Sequence, residues 1–312
     1  MRILVTGGAG FLGSHLADRL VADGHEVVCL DNLSSGRLSN VEHLAASGRF
    51  RFIEADVIDP LPVRGPLDRI YHLASPVTCV HHAERPIATL RAAAEGTRNV
   101  LDLATECGAV MLLASTSEVY GDPLVHPQVE TDVGHVNPIG PRSPYDEGKR
   151  FAESLAVAYA RERGTQVRIA RIFNTYGPRL RPDDGRVIPT FIACALAGKP
   201  LPVFGDGRQT RSFCYASDMA EGLVRLAEAR YGGPVNLGNP DEVTVLELAR
   251  EVQALAGLAG GLEFCPPMED DPVRRKPDIA LAKRLLGWEP KVSRAEGLRR
   301  TIEYYRTEEP LR

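Results

Sequence analysis

The sequence predicts an α/β protein: a doubly wound parallel sheet with a smaller C-terminal lobe. Three observations carry this. Short β-branched or aliphatic runs alternate with longer amphipathic stretches through the first half. A glycine-rich turn joins the first such run to the first helical stretch, and after Asn174 the rhythm breaks into proline- and glycine-rich turns. Strands alternating with helices imply right-handed crossovers and so a parallel sheet covered on both faces.

Strands are expected at 3–6, 26–30, 51–54, 69–72, 110–114 and 166–171, with helices at 11–22 and 87–107 between them. Ser143-Pro144 reads as an N-cap followed by proline at the first helical position, opening a helix that runs to 163. The turns Gly177-Pro178, Pro182-Asp183-Asp184-Gly185 and Gly205-Asp206-Gly207 then break the pattern. Short helices are expected at 187–197, 217–229, 244–256 and 293–307. The division is 1–174 and 175–312, with room for the chain to exchange back into the first part. The second part should cover the carboxyl edge of the sheet.

Composition narrows the function classes. A net charge of −4 gives no general attraction to nucleic acid or anionic membrane, so any anion site must be built locally from a few arginines. Six cysteines (Cys29, Cys79, Cys107, Cys194, Cys214, Cys265) form no CxxC pair, which reads as reduced thiols rather than disulfides or zinc. His81-His82 reads as a loop or helix start, and no metal site is expected. No apolar segment approaches the ~20 residues needed to span a bilayer, and no leader-like region precedes the first strand, so a cytoplasmic location is expected.

Gly7-Gly8-Ala9-Gly10-Phe11-Leu12-Gly13 follows a strand and opens a helix. Its glycines permit a tight turn and close approach of backbone to a pyrophosphate at the helix N-terminus. Asp31 ends the second strand, where a carboxylate accepts hydrogen bonds from ribose hydroxyls and repels a 2′-phosphate. This favours NAD over NADP, and one nearby arginine, Arg37, does not outweigh it. Asp56-Val57 should meet the adenine and Leu73-Ala74-Ser75 the ribose and phosphates. The expected cofactor set is Gly7, Gly10, Phe11, Leu12, Asp31, Asn32, Ser35, Gly36, Asp56, Val57, Leu73, Ala74, Ser75, Tyr145 and Lys149.

Tyr145 and Lys149 share a helix face one turn apart. A tyrosine has a pKa near ~10, too high for a base at neutral pH, and an adjacent ammonium favours the phenolate. Lys149 is therefore expected to lower the pKa of Tyr145 and to hold the nicotinamide ribose. Asp146 and Glu147 suit a helix N-terminus and need no chemical role. Just after the run 110–114 come Ser115-Thr116-Ser117-Glu118-Val119-Tyr120-Gly121, with a hydroxyl and a carboxylate two residues apart.

With these residues in view, the chain resembles the extended short-chain dehydrogenase/reductases acting on nucleotide sugars, which have a Rossmann fold. Within them it most resembles the UDP-glucuronic acid decarboxylases. The segments carrying the resemblance are Leu113 through Pro123, Gly134-His135-Val136-Asn137-Pro138-Ile139-Gly140-Pro141-Arg142 and Tyr145-Asp146-Glu147-Gly148-Lys149-Arg150. Arg171-Ile172-Phe173-Asn174, Asp270-Asp271-Pro272 and Arg275-Lys276-Pro277-Asp278 complete it.

The resemblance implies that Tyr145, with Thr116 on the same oxygen, takes the proton of the sugar 4-hydroxyl while NAD oxidises carbon 4. The ketone, β to the carboxylate, lets carbon dioxide leave, and reduction then gives UDP-xylose and restores NAD. It sets Arg275 and Glu118 near the carboxylate, with Glu118 partly protonated in the complex or holding a water. It carries Ser117, Asn174, Arg186, Phe204, Gln209 and Arg211 over to the nucleotide sugar, and it implies a homodimer through a four-helix interface built from 87–107 and 145–163.

Three departures stand out: Ala93 where many relatives have asparagine, Ser34-Ser35 in place of a more aromatic pair, and Ser143-Pro144 in place of a small residue and cysteine. A 4,6-dehydratase would carry Thr-Asp-Glu at this strand end, where Ser117 stands here. A 4-epimerase usually lacks Glu118. A non-catalytic nucleotide sensor would tend to lose Tyr145 or Lys149.

Overall fold

The computed structural model describes residues 1–76, 85–257, 261–267 and 272–307. Cys79, His81-His82 and Asp270-Asp271 lie outside the described residues. Seven parallel strands form the main sheet in the order β11-β6-β5-β4-β1-β2-β3. They are β1 (Arg2–Thr6), β2 (Glu26–Asp31), β3 (Phe50–Glu54), β4 (Arg69–His72), β5 (Val110–Thr116), β6 (Val167–Ile172) and β11 (Pro234–Leu237). The order reverses between β1 and β4, the switch point beyond whose carboxyl ends ligands bind in such sheets.

Alternation along the strands sends residues to two apolar layers. Ile3, Val5, Val27 and Cys29 face α1 (Phe11–Ala22) through Leu16 and Leu20. Leu4, Val28, Leu30 and Ile70 face the other way and pack with Val100, Leu101, Ala104, Ala152 and Ala156. The helical stretch expected at 87–107 is α2 (Pro86–Arg91), a π turn (Ala92–Gly96) and α3 (Thr97–Cys107), joined without leaving helical backbone angles. The long helix is α4 (Ser143–Arg163). It starts one residue earlier than the sequence reading: Arg142 is the N-cap, Pro144 lies inside the first turn, and Ser143 caps nothing. The cause is local, since the Arg142 carbonyl accepts from both Tyr145 and Asp146 amides at 3.1 Å.

The lobe holds α5 (Val187–Leu196), α7 (Val245–Ala256) and α9 (Arg294–Thr307) around Phe191, Ile192, Leu248, Val252, Leu298 and Ile302. Between them run short strands that the sequence reading lacks: β7 (Thr175–Tyr176) beside β10 (Cys214–Tyr215), β8 (Leu201–Phe204) beside β13 (Leu262–Cys265), and β9 (Thr210–Ser212) between β12 (Glu242–Thr244) and β14 (Arg274–Arg275). Two to four residues are too few to show a period of two.

The chain also returns. The expected sheet lacks β11, which pairs with β6, while α6 (Ala216–Glu228) contributes Met219 and Leu223 to the α1 layer. The helix α8 (Ala280–Leu286), also unread from sequence, adds Ala282 there. Among the described residues no helix is long and apolar enough to cross a membrane, no cluster of metal-binding side chains occurs, and the five cysteines are free.

Candidate active site

Between the carboxyl edge of the sheet and the lobe lies a cavity of about 550 Å³. Its floor is the turn from β1 into α1. Gly7 has φ of 70°, and a Cβ there would lie 2.7 Å from the Ala74 nitrogen, so the β1 and β4 ends close on each other. A Cβ on Gly13 would fall on the carbonyl oxygen of Gly7. The α1 N-terminus receives no side-chain cap among the described residues, leaving its amides for an anion. Phe11 also packs against the lobe, and His15 of α1 shares a 2.9 Å hydrogen bond with the Pro178 carbonyl, tying the cofactor helix to the opposite wall.

Asp31 accepts from the amides of Ala9 (3.0 Å) and Leu33 (2.9 Å), keeping lone pairs for a ribose. Burial raises its pKa, and those backbone donors oppose the rise. Asn32 donates to Asp56 at 2.7 Å, and Asp56 also accepts from the Ile58 amide at 3.0 Å. The uncapped helix start, the closed glycine turn and the buried acid together fit an adenine dinucleotide without a 2′-phosphate. Gly7, Gly10, Phe11, Leu12, Asp31, Asn32, Ser35, Asp56, Val57, Leu73, Ala74 and Ser75 all line the cavity. Gly36 does not; it lies beneath Asp31, whose carboxylate would meet a Cβ there at 2.9 Å.

At the centre stand the ends of β5 and α4. The Thr116 side chain accepts from the Glu118 amide at 3.2 Å and hydrogen-bonds Tyr145. Lys149 donates to the Ala114 carbonyl at 2.8 Å, with Nζ 5.9 Å from the centre of the Tyr145 ring. The balance of the protein's own groups raises the Tyr145 pKa rather than lowering it. Burial pushes the phenol up, the Thr116 hydrogen bond and Arg186 oppose this, and Glu118 and Asp146 add to it. Lys149 is itself lowered to about 8 by burial, with Glu153 resisting.

Glu118 is held as a carboxylate by the protein's own groups: burial disfavours its charge, but Arg275 and Arg142, with Arg211 behind them, bring its pKa down to about 2. Its Oε2 accepts from Arg142 at 2.7 Å and from Arg275 at 3.0 Å. Arg275 is buried and also donates to the Ser117 carbonyl. Arg142 is the residue that sequence reasoning missed. It stood in a quoted segment directly before the catalytic helix, and a lone arginine in a proline-rich loop gives no sign of where its side chain turns.

Asp146, given no role from sequence, is buried in the same first turn with one oxygen lacking a hydrogen-bond partner among the described residues. Burial and then Glu118 raise its pKa to about 7.

The lobe supplies the far wall. Ser117, Asn174, Arg186, Phe204, Gln209, Arg211 and Arg275 all line the cavity. Arg186 pairs with buried Asp184 through both carboxylate oxygens, and Gln209 donates to the Phe204 carbonyl at 2.8 Å. Arg211 and Arg275 lie side by side in register on β9 and β14.

Residues 3–238 match the NAD dependent epimerase/dehydratase family. Over 307 residues the chain is 54% identical to UDP-glucuronic acid decarboxylase 1 of Xenopus tropicalis, covering 98% of this chain and 72% of that protein. It is 55% identical over 306 residues to UDP-glucuronic acid decarboxylase 2 of Arabidopsis thaliana, covering 98% and 68%. Among solved structures it superposes on a UDP-glucose 4-epimerase of Thermotoga maritima with UDP-glucose (TM-score 0.90, 31% identity, 98% and 99% covered). It superposes equally on a dTDP-glucose 4,6-dehydratase of Streptomyces venezuelae with NAD bound (TM-score 0.90, 32% identity, both chains fully covered).

Proposed function

The chain belongs to the NAD dependent epimerase/dehydratase family and, within it, to the UDP-glucuronic acid decarboxylases, and on that premise we propose that it converts UDP-glucuronate to UDP-xylose and carbon dioxide. NAD is its cofactor, and when bound it supplies the oxidation of sugar carbon 4 and the later reduction of the same carbon. The observation that carries the reading is the cluster of Arg142, Arg211 and Arg275 about Glu118, opening on the same cavity as Thr116 and Tyr145. Three guanidinium groups stand about ionised Glu118, with Asp146 at about 7 beside them, and that net positive charge suits an incoming carboxylate and diphosphate.

The positive charge of bound NAD would add to that of Lys149 in favouring the phenolate, and Tyr145, hydrogen-bonded to Thr116, then accepts the proton of the 4-hydroxyl. Once carbon 4 is a ketone, the bond from carbon 5 to the carboxyl carbon breaks, its electron pair enters the carbonyl, and carbon 5 then takes a proton from water before carbon 4 is reduced. Thr116 and Tyr145 then donate hydrogen bonds to the oxygen that gains charge. Arg275 and Arg142 orient the carboxylate, and ionised Glu118 fixes the two guanidinium groups rather than giving up a proton. Lys149 holds the cofactor ribose; Asn174, Arg186, Phe204, Gln209 and Arg211 hold the UDP. In this division 1–174 bind the cofactor and carry the catalytic residues, and 175–312 supply most of the nucleotide-sugar site.

The protein works in the cytoplasm as a homodimer. Support comes from the outer face of α2 and α4, where Ile87 (74% exposed), Leu90 (43%) and Phe151 (50%) form an apolar stripe. Incubation of the purified protein with UDP-glucuronate and trace NAD tests the reaction. Carbon dioxide and UDP-xylose should appear in equal amounts with no net consumption of NAD. An epimerised hexuronate, or no release of carbon dioxide by folded protein, overturns it.

A further inference from the structure

Glu118 and Arg275 are 157 residues apart in sequence and meet at 3.0 Å. Nothing in their own segments forces that meeting. Arg275 belongs to a two-residue strand held on one side by β9 and by the Ser212 hydroxyl, which donates to the Arg275 carbonyl at 3.2 Å. On its C-terminal side it is held by Gln128, a loop residue with no solvent exposure. The Gln128 amide donates to the Lys276 carbonyl (2.9 Å), its Oε1 accepts from the Lys276 amide (2.8 Å), and its carbonyl accepts from the Asp278 amide (2.8 Å). Its Nε2 donates to the Val125 carbonyl at 2.9 Å, which fixes the side chain for this task.

The same residue reaches back to the Glu118 turn. Asn236 of β11 donates to the Gln128 carbonyl at 3.0 Å and accepts from the Tyr120 hydroxyl at 2.7 Å. Tyr120 closes the short helical turn Ser117–Tyr120 that carries Glu118. A chain of buried hydrogen bonds therefore runs from that turn through Tyr120, Asn236 and Gln128 to the residue after Arg275. Such a fully satisfied network has one geometry, and removing a member leaves buried partners unmet.

We propose that Gln128 is a positioning residue that sets Arg275 in register with Glu118, and so fixes where the substrate carboxylate stands over the reacting carbon. This rests on the reading of Arg275 as the carboxylate-binding arginine. Gln128 is not among the described residues lining the cavity; it acts through Arg275. Loss of the register leaves oxidation at carbon 4 intact, because Thr116 and Tyr145 sit on β5 and α4. It impairs only the step that needs the carboxylate held.

The test uses the full chain with NAD, comparing Gln128→Met, which removes both polar ends at similar size, with Gln128→Glu, which keeps the acceptor facing Lys276. For Gln128→Met, kcat for carbon dioxide release should fall about 100-fold, the scale expected for a misplacement of ~1 Å. UDP should bind as before, the preference for UDP-glucuronate over UDP-glucose in calorimetry should shrink, and absorbance of reduced nicotinamide should rise and persist after mixing with UDP-glucuronate. Gln128→Glu should recover part of each loss.

Unchanged kcat and preference in Gln128→Met overturn the proposal. So does a parallel loss of UDP binding and kcat in both variants, which marks a role in folding alone. If Gln128→Met does not fold, Gln128→Asn, with both polar groups drawn back by one methylene, is read by the same criteria. Arg275→Gln separates the two layers: if it keeps the preference for UDP-glucuronate, the reading of the site fails, whatever Gln128 does.

Discussion

Charge on single side chains decides what this cavity can bind. Glu118 is largely buried yet ionised, because Arg275 and Arg142 outweigh its burial and bring it to about 2. Replacing it by glutamine leaves those guanidinium groups facing each other, so Glu118→Gln should lower kcat about 100-fold through misplacement of Arg275 while UDP affinity persists. Steady-state kinetics beside calorimetry with UDP checks this, and near-full activity would retire the role. Asp146 is the converse case, with no cation strong enough to offset burial and the Glu118 charge. Its folded value near 7 lies above the ordinary 3.8, so its protonation favours the fold. That contribution is complete below about 3.8 and is lost as pH rises through 7. Asp146→Asn should therefore stabilise the protein at pH 8 by on the order of 1–3 kcal/mol and do nothing below pH 4. Thermal melts at the two values decide it, and equal shifts at both would refute the account. The sequence displayed Glu118, Tyr145, Lys149 and Asp146 as residue types at telling spacings. It did not display their protonation, which depends on neighbours brought in from distant segments.

At the scale of elements, the start of α1 and the seam between α2 and α4 shape the cofactor side. Helix α1 was readable to its ends, because its apolar spacing and the glycines before it are local signals. The glycine at its third position has a steric reason, since a Cβ on Gly13 would strike Gly7 and lie 2.7 Å from the Gly8 Cα. Gly13→Ala should cost on the order of 1–3 kcal/mol by overpacking. The protein should then lose co-purifying NAD; retention of the cofactor at wild-type level would show that the turn has slack. The π turn Ala92–Gly96 was not readable. It brings Ala93 against α4, where a Cβ on Gly148 would lie 3.0 Å from the Ala93 methyl. Two small residues set this helix spacing, and neither advertises the insertion of an extra residue into the turn. The start of α4 differs for a similar reason: which carbonyl accepts first is settled by the loop Gly140–Arg142, not by the favourable chemistry of Ser143-Pro144.

Across the whole molecule, two apolar bodies meet at the cavity, and the chain passes between them more than once. Residues 216–228 and 234–237 come after the first lobe strands, yet they complete the sheet layer and its edge. The exposed stripe of Ile87, Leu90 and Phe151 belongs to this scale too. Phe151→Glu should convert a dimer to a monomer in light scattering, since a buried unpaired charge opposes association, and an unaltered mass would place the contact elsewhere. What the sequence determined by itself was whatever its neighbours along the chain could signal. That includes six strands of the parallel sheet, the glycine turn, the carboxylate ending β2, and the Tyr145–Lys149 face. Tertiary structure alone decided the rest: β11 joining the sheet, Arg142 turning onto Glu118, the charge states of Glu118, Tyr145 and Asp146, and the seating of Arg275. Periodicity and turn chemistry are local and survive in one dimension. Burial and electrostatic pairing depend on which distant segments share a cavity, and those exist only once the chain is closed.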